Sequence, residues 1–427
     1  MRILFITNYY PPSDCGWGYM QLCEEVADGL SARGHNIAVL TSTRCDGPEI
    51  TRPYPVHRSL TIDPDWHSGK SAAWQFFVGR RQREREAVAH LMHLVDGFQP
   101  QVIFIWHAIG LPRVLLRAAE QQPGVVTAYY LAGYLPELPD EYTAYWQADP
   151  VRGSARLFKR LLAKAALAML RREGKPILLK YEHVICVSGY VQQRLVDQGL
   201  IPAGSVVVHN GVDVCRFASS RLGRSFDGGL KLLCAGRLEP DKGAHHVIEA
   251  LGLLDRNQRD FVDHLAIVGD GQPEYLAQLQ TLVKQYGLSD RVHFTPPVAR
   301  DRMPQLLDDF DVLVLPSALE ALSRMMQEAM AMGLLVIGTT TGGSGELLVH
   351  EQTGLMFKAG NAQSLARQLE SAITHPDLAA RLATAGQEWV RESFRIDQTV
   401  DSIEDYLQKL VVGHISTYIG PGRGRQR

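Results

Sequence analysis

The sequence predicts an α/β protein of two domains, each an open parallel sheet covered by helices on both faces. Three observations carry this. The chain has 427 residues, 45% hydrophobic and 21% charged, the balance of a globular protein, and one domain holds roughly 100–200 residues. Short apolar runs alternate with longer amphipathic ones, as in strand–helix–strand units. The alternation restarts once, after a polar stretch at 215–229 rich in Arg, Ser and Gly.

In the first half, Ile3 to Thr7 reads as a buried strand and Gln21 to Arg33 as a helix, closed by Gly34, a residue suited to a helix C-terminus. Further strands are expected at 37–41, 102–106, 125–130, 184–187 and 205–209. In the second half they are expected at 231–235, 264–268, 292–294, 312–315 and 335–338, with helical patterns between. The expected division is a first domain at 1–214, a linker at 215–229 and a second domain at 230–392. A C-terminal helix at 393–412 would cross back to the first domain. A tail at 413–427, with Gly and Arg at its end, would lack fixed structure.

Composition excludes several classes of function. A formal net charge of -2 gives no global basic field for nucleic acid. The six cysteines, at 15, 23, 45, 186, 215 and 234, contain no CxxC pair, so no disulfide frame and no structural metal is expected, and the compartment reads as reducing, hence cytoplasmic. The apolar run in MRILFITNYYPP is too short for a signal-peptide core. No stretch approaches the roughly 18 apolar residues of a spanning helix.

One segment suggests contact with the inner membrane face. Arg156 to Lys175 holds seven basic residues and one acid, Glu173, with apolar residues at helical spacing from Leu157 to Leu170. Such a helix either lies in the headgroup layer or packs its apolar stripe on the sheet, and a basic edge on lipid is compatible with both.

In open α/β sheets ligands bind beyond the carboxyl ends of strands. Four loops of the second half stand there. Gly236-Arg237-Leu238-Glu239-Pro240-Asp241-Lys242-Gly243 brings two cations to a helix start, an arrangement suited to an anion. Pro316 to Glu328 carries Glu320 and Glu328, eight apart. Ser323 as N-cap would leave Glu320 in the loop and Glu328 about one and a half turns into the helix, with the amides of Arg324, Met325 and Met326 aimed at a phosphate. Gly342-Gly343-Ser344-Gly345-Glu346 and Gly269-Asp270-Gly271 suit close backbone approach or a tight turn. In the first half, Pro11 to Gly18 follows the first strand. It is a poor GxGxxG fingerprint, since Gln21 stands at the third glycine, which disfavours a dehydrogenase.

Together, in order and over nearly the whole chain, these loops resemble glycosyltransferase family 4. The likeness also takes in Arg33-Gly34-His35, Val187-Ser188, Asn210-Gly211-Val212-Asp213, Ala329-Met330-Ala331-Met332-Gly333 and Thr353-Gly354-Leu355. The resemblance implies two Rossmann-like domains facing a central cleft, the GT-B arrangement. It implies retaining transfer of a sugar from a nucleotide-sugar donor to a glycan or lipid-linked acceptor, with no metal or other cofactor. Arg237 and Lys242 would neutralise the departing diphosphate. Glu320 would hold hydroxyls of the transferred sugar and Glu328 the ribose. Gly236 and the amides of Met325 and Met326 would touch donor oxygens. Gly16 would lie under the diphosphate, and the base would rest near the loop after Phe294. The sequence departs from the family at Ala321-Leu322-Ser323, where an aromatic-Gly or Pro-Gly pair is usual. It departs again at Thr295-Pro296-Pro297, which lacks the usual Gly, and at 129–134, which lacks a sugar-contacting histidine. His107 is the candidate replacement. The alternative reading is a catalytically silent relative that binds nucleotide sugars within a complex.

Overall fold

The computed structural model describes residues 1–13, 17–62, 76–148, 155–220, 224–339 and 341–418. The chain divides into two compact units. One comprises Met1–Val187, Val191–Val208 and Val400–Arg427, the other Ser188–Tyr190 and His209–Thr399.

The first unit holds a seven-stranded sheet of β1 (Arg2–Ile6), β2 (Asn36–Ser42), β3 (Val56–Leu60), β4 (Val102–Ile105), β5 (Val126–Leu131), β6 (Val184–Cys186) and β7 (Val206–Val207). Their order is β3-β2-β1-β4-β5-β6-β7, and every pairing is parallel. The central strands are apolar along their length because helices cover both faces of a parallel sheet; Ile3 to Ile6 and Val102 to Ile105 have no exposed surface. Strand β3, VHRSL, is a half-buried edge strand. It went unpredicted because one face in contact with solvent removes the apolar run.

The second unit repeats the plan with β8 (Leu230–Ala235), β9 (Val262–Val268), β10 (Val292–Thr295), β11 (Val312–Leu315), β12 (Leu335–Thr339) and β13 (Leu355–Phe357). The order is β10-β9-β8-β11-β12-β13, again all parallel. Strand β13, LMF, is three residues long and went unpredicted. In each unit the order reverses once, between β1 and β4 and between β8 and β11. Those reversals are the topological switch points where such sheets open a crevice at their carboxyl ends.

Three boundaries differ from expectation. Where described, the stretch 215–229 is packed rather than a free linker, with Phe217 and Phe226 buried. Ser219 donates to Asp308 at 2.6 Å and Arg224 to the Met332 carbonyl at 3.2 Å. The last helix runs from Ile396 to Tyr418, through the start of the stretch expected to lack structure, and from Val400 on it belongs to the first unit. Residues 419–427 lie outside the described residues. The helix of the basic segment is Ala155–Arg172. Its Ala166 and Leu170 are buried with Phe76, Tyr142 and Trp146, so the described part of the apolar stripe turns inward, while Arg160, Lys164, Arg171 and Arg172 are exposed. Among the described residues no helix is long and apolar enough to cross a membrane.

Candidate active site

The loops after β8 and β11 meet at the switch point of the second sheet. After β8, Pro240–Lys242 form a single 3-10 turn, and Gly243 at φ 73° opens the helix Ala244–Leu253. A side chain at Gly243 would put its Cβ 2.5 Å from the Pro316 carbonyl oxygen, so only glycine lets the two loops touch. The Ala318 amide donates to the Asp241 carbonyl at 2.8 Å. This close passage brings Lys242 Nζ to Glu320 Oε1 at 2.7 Å, with each side chain about one-fifth exposed (21% and 19%). Lys242 and Glu320, 78 residues apart, are therefore one unit. Arg237 is not part of it: its guanidinium is exposed and pairs with Glu239 at 2.6 Å.

The position of Glu320 is set by its backbone. It pairs with Gly342 as an isolated parallel bridge, and the Gly343 amide donates to the Glu320 carbonyl at 2.8 Å. Gly342 sits at φ 77°, and a Cβ there would lie 2.0 Å from the Glu320 carbonyl oxygen. The glycine pair thus serves packing of the Glu320 loop. On the other side, Ser188 Oγ donates to the Ala321 carbonyl at 2.7 Å. Gln327 Nε2 donates to the Asn210 carbonyl at 2.6 Å.

Ser323 is the N-cap of the helix Arg324–Ala331, accepting the Met326 amide at 3.3 Å. The Met326 amide is thereby engaged within the cap, and its side chain is buried. Glu328 is buried and faces two guanidiniums, Arg300 at 2.5 Å and Arg324 at 3.6 Å. Arg300 in turn lies over the Phe217 ring at 4.8 Å. Burying a carboxylate is costly unless it is paired, and these arginines provide the pairing. Arg324 stands at i,i+4 to Glu328, a spacing at which helical ion pairs form. Arg300 and Phe217 left no signal, because each is remote from Glu328 in sequence.

Glu346 is a second hub of this unit. It accepts the amides of Gly189 and Tyr190 at 3.0 and 2.9 Å and pairs with His209 Nε2 at 2.7 Å. Burial opposes its ionisation, but the His209 and amide hydrogen bonds prevail and hold the carboxyl below the usual carboxylate range. Spacing marked Glu346 only as the end of a glycine-rich loop. Asp308 and Asp311 lie at the opposite end of β11, bonded to Ser219 and to the Lys231 amide.

In the first unit, Gly16 lies outside the described residues. His107 follows β4 at the switch point beside β1, and its ring stands 4.8 Å from that of Tyr19.

Comparison with known proteins agrees with this layout. Residues 21–216 match the family described as Glycosyltransferase Family 4, and residues 220–389 match Glycosyl transferases group 1. Glycogen synthase of Mycobacterium tuberculosis is 30% identical over 412 residues, covering 92% of this chain and 91% of that protein. A GDP-mannose-dependent α-(1-6)-phosphatidylinositol monomannoside mannosyltransferase of the same organism is 30% identical over 258 residues, 57% of this chain. That match spans 65% of the mannosyltransferase's own length. Among solved structures, sucrose-phosphate synthase from Thermosynechococcus elongatus superposes with a TM-score of 0.71 at 18% identity, over 96% of this chain and 99% of that one. Anabaena HepE in complex with UDP-glucose gives 0.65 at 21% identity, over 96% and 100%. The fold is the GT-B fold of two Rossmann-like domains. The chain belongs to glycosyltransferase family 4.

Proposed function

We propose that this chain transfers a sugar, with retention of anomeric configuration, from a nucleotide-sugar donor to a glycan or lipid-linked acceptor. The observation that carries the reading is the Lys242–Glu320 pair at the β8/β11 switch point, where an α/β sheet binds its ligand. Lys242, assisted by Arg237, neutralises the leaving diphosphate, and Glu320 holds hydroxyls of the transferred sugar. Fixed positive charge aimed at a leaving group is electrostatic stabilisation of the transition state. The Gly236 and Met325 backbone contacts donor oxygens. Glu328, oriented by Arg300 and Arg324, accepts the ribose hydroxyls.

The direct test is a thermal-shift screen of GDP-mannose, UDP-glucose, other nucleotide sugars and the bare diphosphates. A ligand at 100 times its dissociation constant adds about 2.7 kcal/mol of stability. A panel without any shift would reject a nucleotide-sugar site.

Two results are expected of the site. Glu328→Ala weakens the stabilising nucleotide by about 1.5–3 kcal/mol, the worth of a charged hydrogen bond, while the fold survives; calorimetric titration showing unchanged affinity would refute the ribose role. Turnover persists in EDTA, since basic side chains supply the positive charge. Loss of activity in EDTA, restored by magnesium or manganese, would overturn the metal-independent reading.

We also propose that the exposed basic edge of the helix Ala155–Arg172 works against the anionic inner membrane surface. Each basic residue near such a surface contributes about 1 kcal/mol. Co-sedimentation with anionic but not neutral vesicles is expected at low salt, weakened when Arg160, Lys164 and Arg172 become Gln. No binding to anionic vesicles at low salt would exclude it and favour a water-soluble acceptor.

A further inference from the structure

The helix Ala244–Leu253 starts without a cap of its own. Its N-cap is Gly243, which makes no side-chain cap hydrogen bond. A serine, threonine, aspartate or asparagine at an N-cap accepts one of the first-turn amides. None of them fits here, because a Cβ on Gly243 would lie 2.5 Å from the Pro316 carbonyl oxygen. The close passage that brings Lys242 to Glu320 therefore leaves the next helix uncapped from within.

An oxygen from another helix takes the vacant role. Tyr275 stands on the helix Pro273–Gln285 and is buried. The His245 amide, second in its helix, donates to the Tyr275 hydroxyl oxygen at 3.3 Å. His245 Nδ1 lies 2.6 Å from the same oxygen. Burial pushes the Tyr275 phenol up to about 12, so the hydroxyl keeps a proton to donate. Burial first and then His246 hold the His245 imidazole below its ordinary value, against the opposing charge of Glu249. The ring is therefore neutral at physiological pH. Among the described residues, His245 Nδ1 is the one acceptor bonded to that hydroxyl. Tyr275 thus accepts from the His245 backbone and donates to the His245 ring, and both roles of its hydroxyl are satisfied by one residue.

The start of the Tyr275 helix is in turn fastened to the loop that carries Lys242. The Leu238 amide donates to the Asp270 carbonyl at 2.7 Å, and Leu238 and Gly271 form an isolated parallel bridge. A Cβ on Gly271 would lie 2.0 Å from the Leu238 carbonyl oxygen, so the two loops touch backbone to backbone. Lys242 is held from its N-terminal side by this contact and from its C-terminal side by Tyr275.

We propose that Tyr275 is a positioning residue for Lys242: it caps the helix that begins just after Lys242, in place of the side chain Gly243 cannot carry, and so keeps the ammonium aimed at the departing diphosphate. This rests on the glycosyltransferase reading, in which Lys242 neutralises that group. Tyr275 acts through Lys242 alone.

A double-mutant cycle tests this. Turnover is measured for the parent, Tyr275→Phe, Lys242→Ala and the double variant, with the donor identified by thermal shift and well below the lowest melting temperature of the four. Tyr275→Phe is expected to lower kcat by roughly threefold to tenfold, the range for one neutral hydrogen bond. In the Lys242→Ala background the same change should cause no further loss. A tyrosine that served only stability would lower the melting temperature and leave kcat of the folded protein as it was. His245→Ala keeps the amide bond but removes the ring acceptor; it should give a smaller loss, again absent without Lys242, and carries the cycle if Tyr275→Phe does not fold. Unchanged kcat in folded Tyr275→Phe, or an equal loss with and without Lys242, would overturn the proposal. A parent that turns over no nucleotide sugar would instead sink the reading on which it rests.

Discussion

Lys242→Ala is expected to lower kcat by about 100-fold to 1000-fold, the range seen when one preorganised charge-stabilising group is removed from an active site. Lys242 is the cation held at the β8/β11 switch point, 2.7 Å from Glu320, whereas Arg237 is exposed and already paired with Glu239. The loss should therefore fall mainly on turnover, and Arg237→Ala should cost less. Lys242→Arg is not expected to restore full rate, because a planar fork replaces a compact point charge in a loop whose backbone is fixed by Gly243. Both Lys242 variants should melt near the parent, since a one-fifth-exposed pair contributes little to stability. Steady-state kinetics with the donor identified by thermal shift, alongside melting curves, decide this. Wild-type kcat in a folded Lys242→Ala protein would remove Lys242 from the mechanism.

Glu84→Ala is expected to destabilise the first unit by about 3–5 kcal/mol, the cost of breaking a buried ion pair from one side. Glu84 is buried with Arg80 and Lys175. Its carboxylate takes Arg80 Nη1 at 3.1 Å and is in close contact with Lys175 Nζ. Arg80 also reaches Glu173 at 2.5 Å and lies over the Phe76 and Tyr142 rings at 4.9 and 5.2 Å. Removing Glu84 leaves Lys175 buried above Tyr142 with no carboxylate among its described ion pairs. The double variant Glu84→Leu, Lys175→Met should recover much of the loss, since it removes both charges rather than one. Urea unfolding of the single and double variants measures the difference. Equal stability of Glu84→Ala and the parent would show that solvent reaches the cluster.

The sequence by itself determined the two-domain α/β plan, most of its strands and the loops that carry the site. Strands buried on both faces must be apolar throughout, so runs such as Val102 to Ile105 and Val312 to Leu315 announce themselves. Ser323 as N-cap was legible for a similar reason: capping is local, confined to a few neighbouring residues. The half-exposed β3 was not legible, because solvent contact breaks the apolar run. What only the tertiary structure decided is which charges meet. Lys242 was grouped with Arg237 by proximity in sequence, yet it pairs with Glu320, 78 residues on. Glu328 finds Arg300, and Glu346 finds His209 and the amides of Gly189 and Tyr190. His107 likewise meets Asn8, 99 residues away. Parallel sheets bring together loops that follow different strands, separated by whole helices in the chain. Partnerships across such loops are fixed by strand order and register, which no local pattern of residues records.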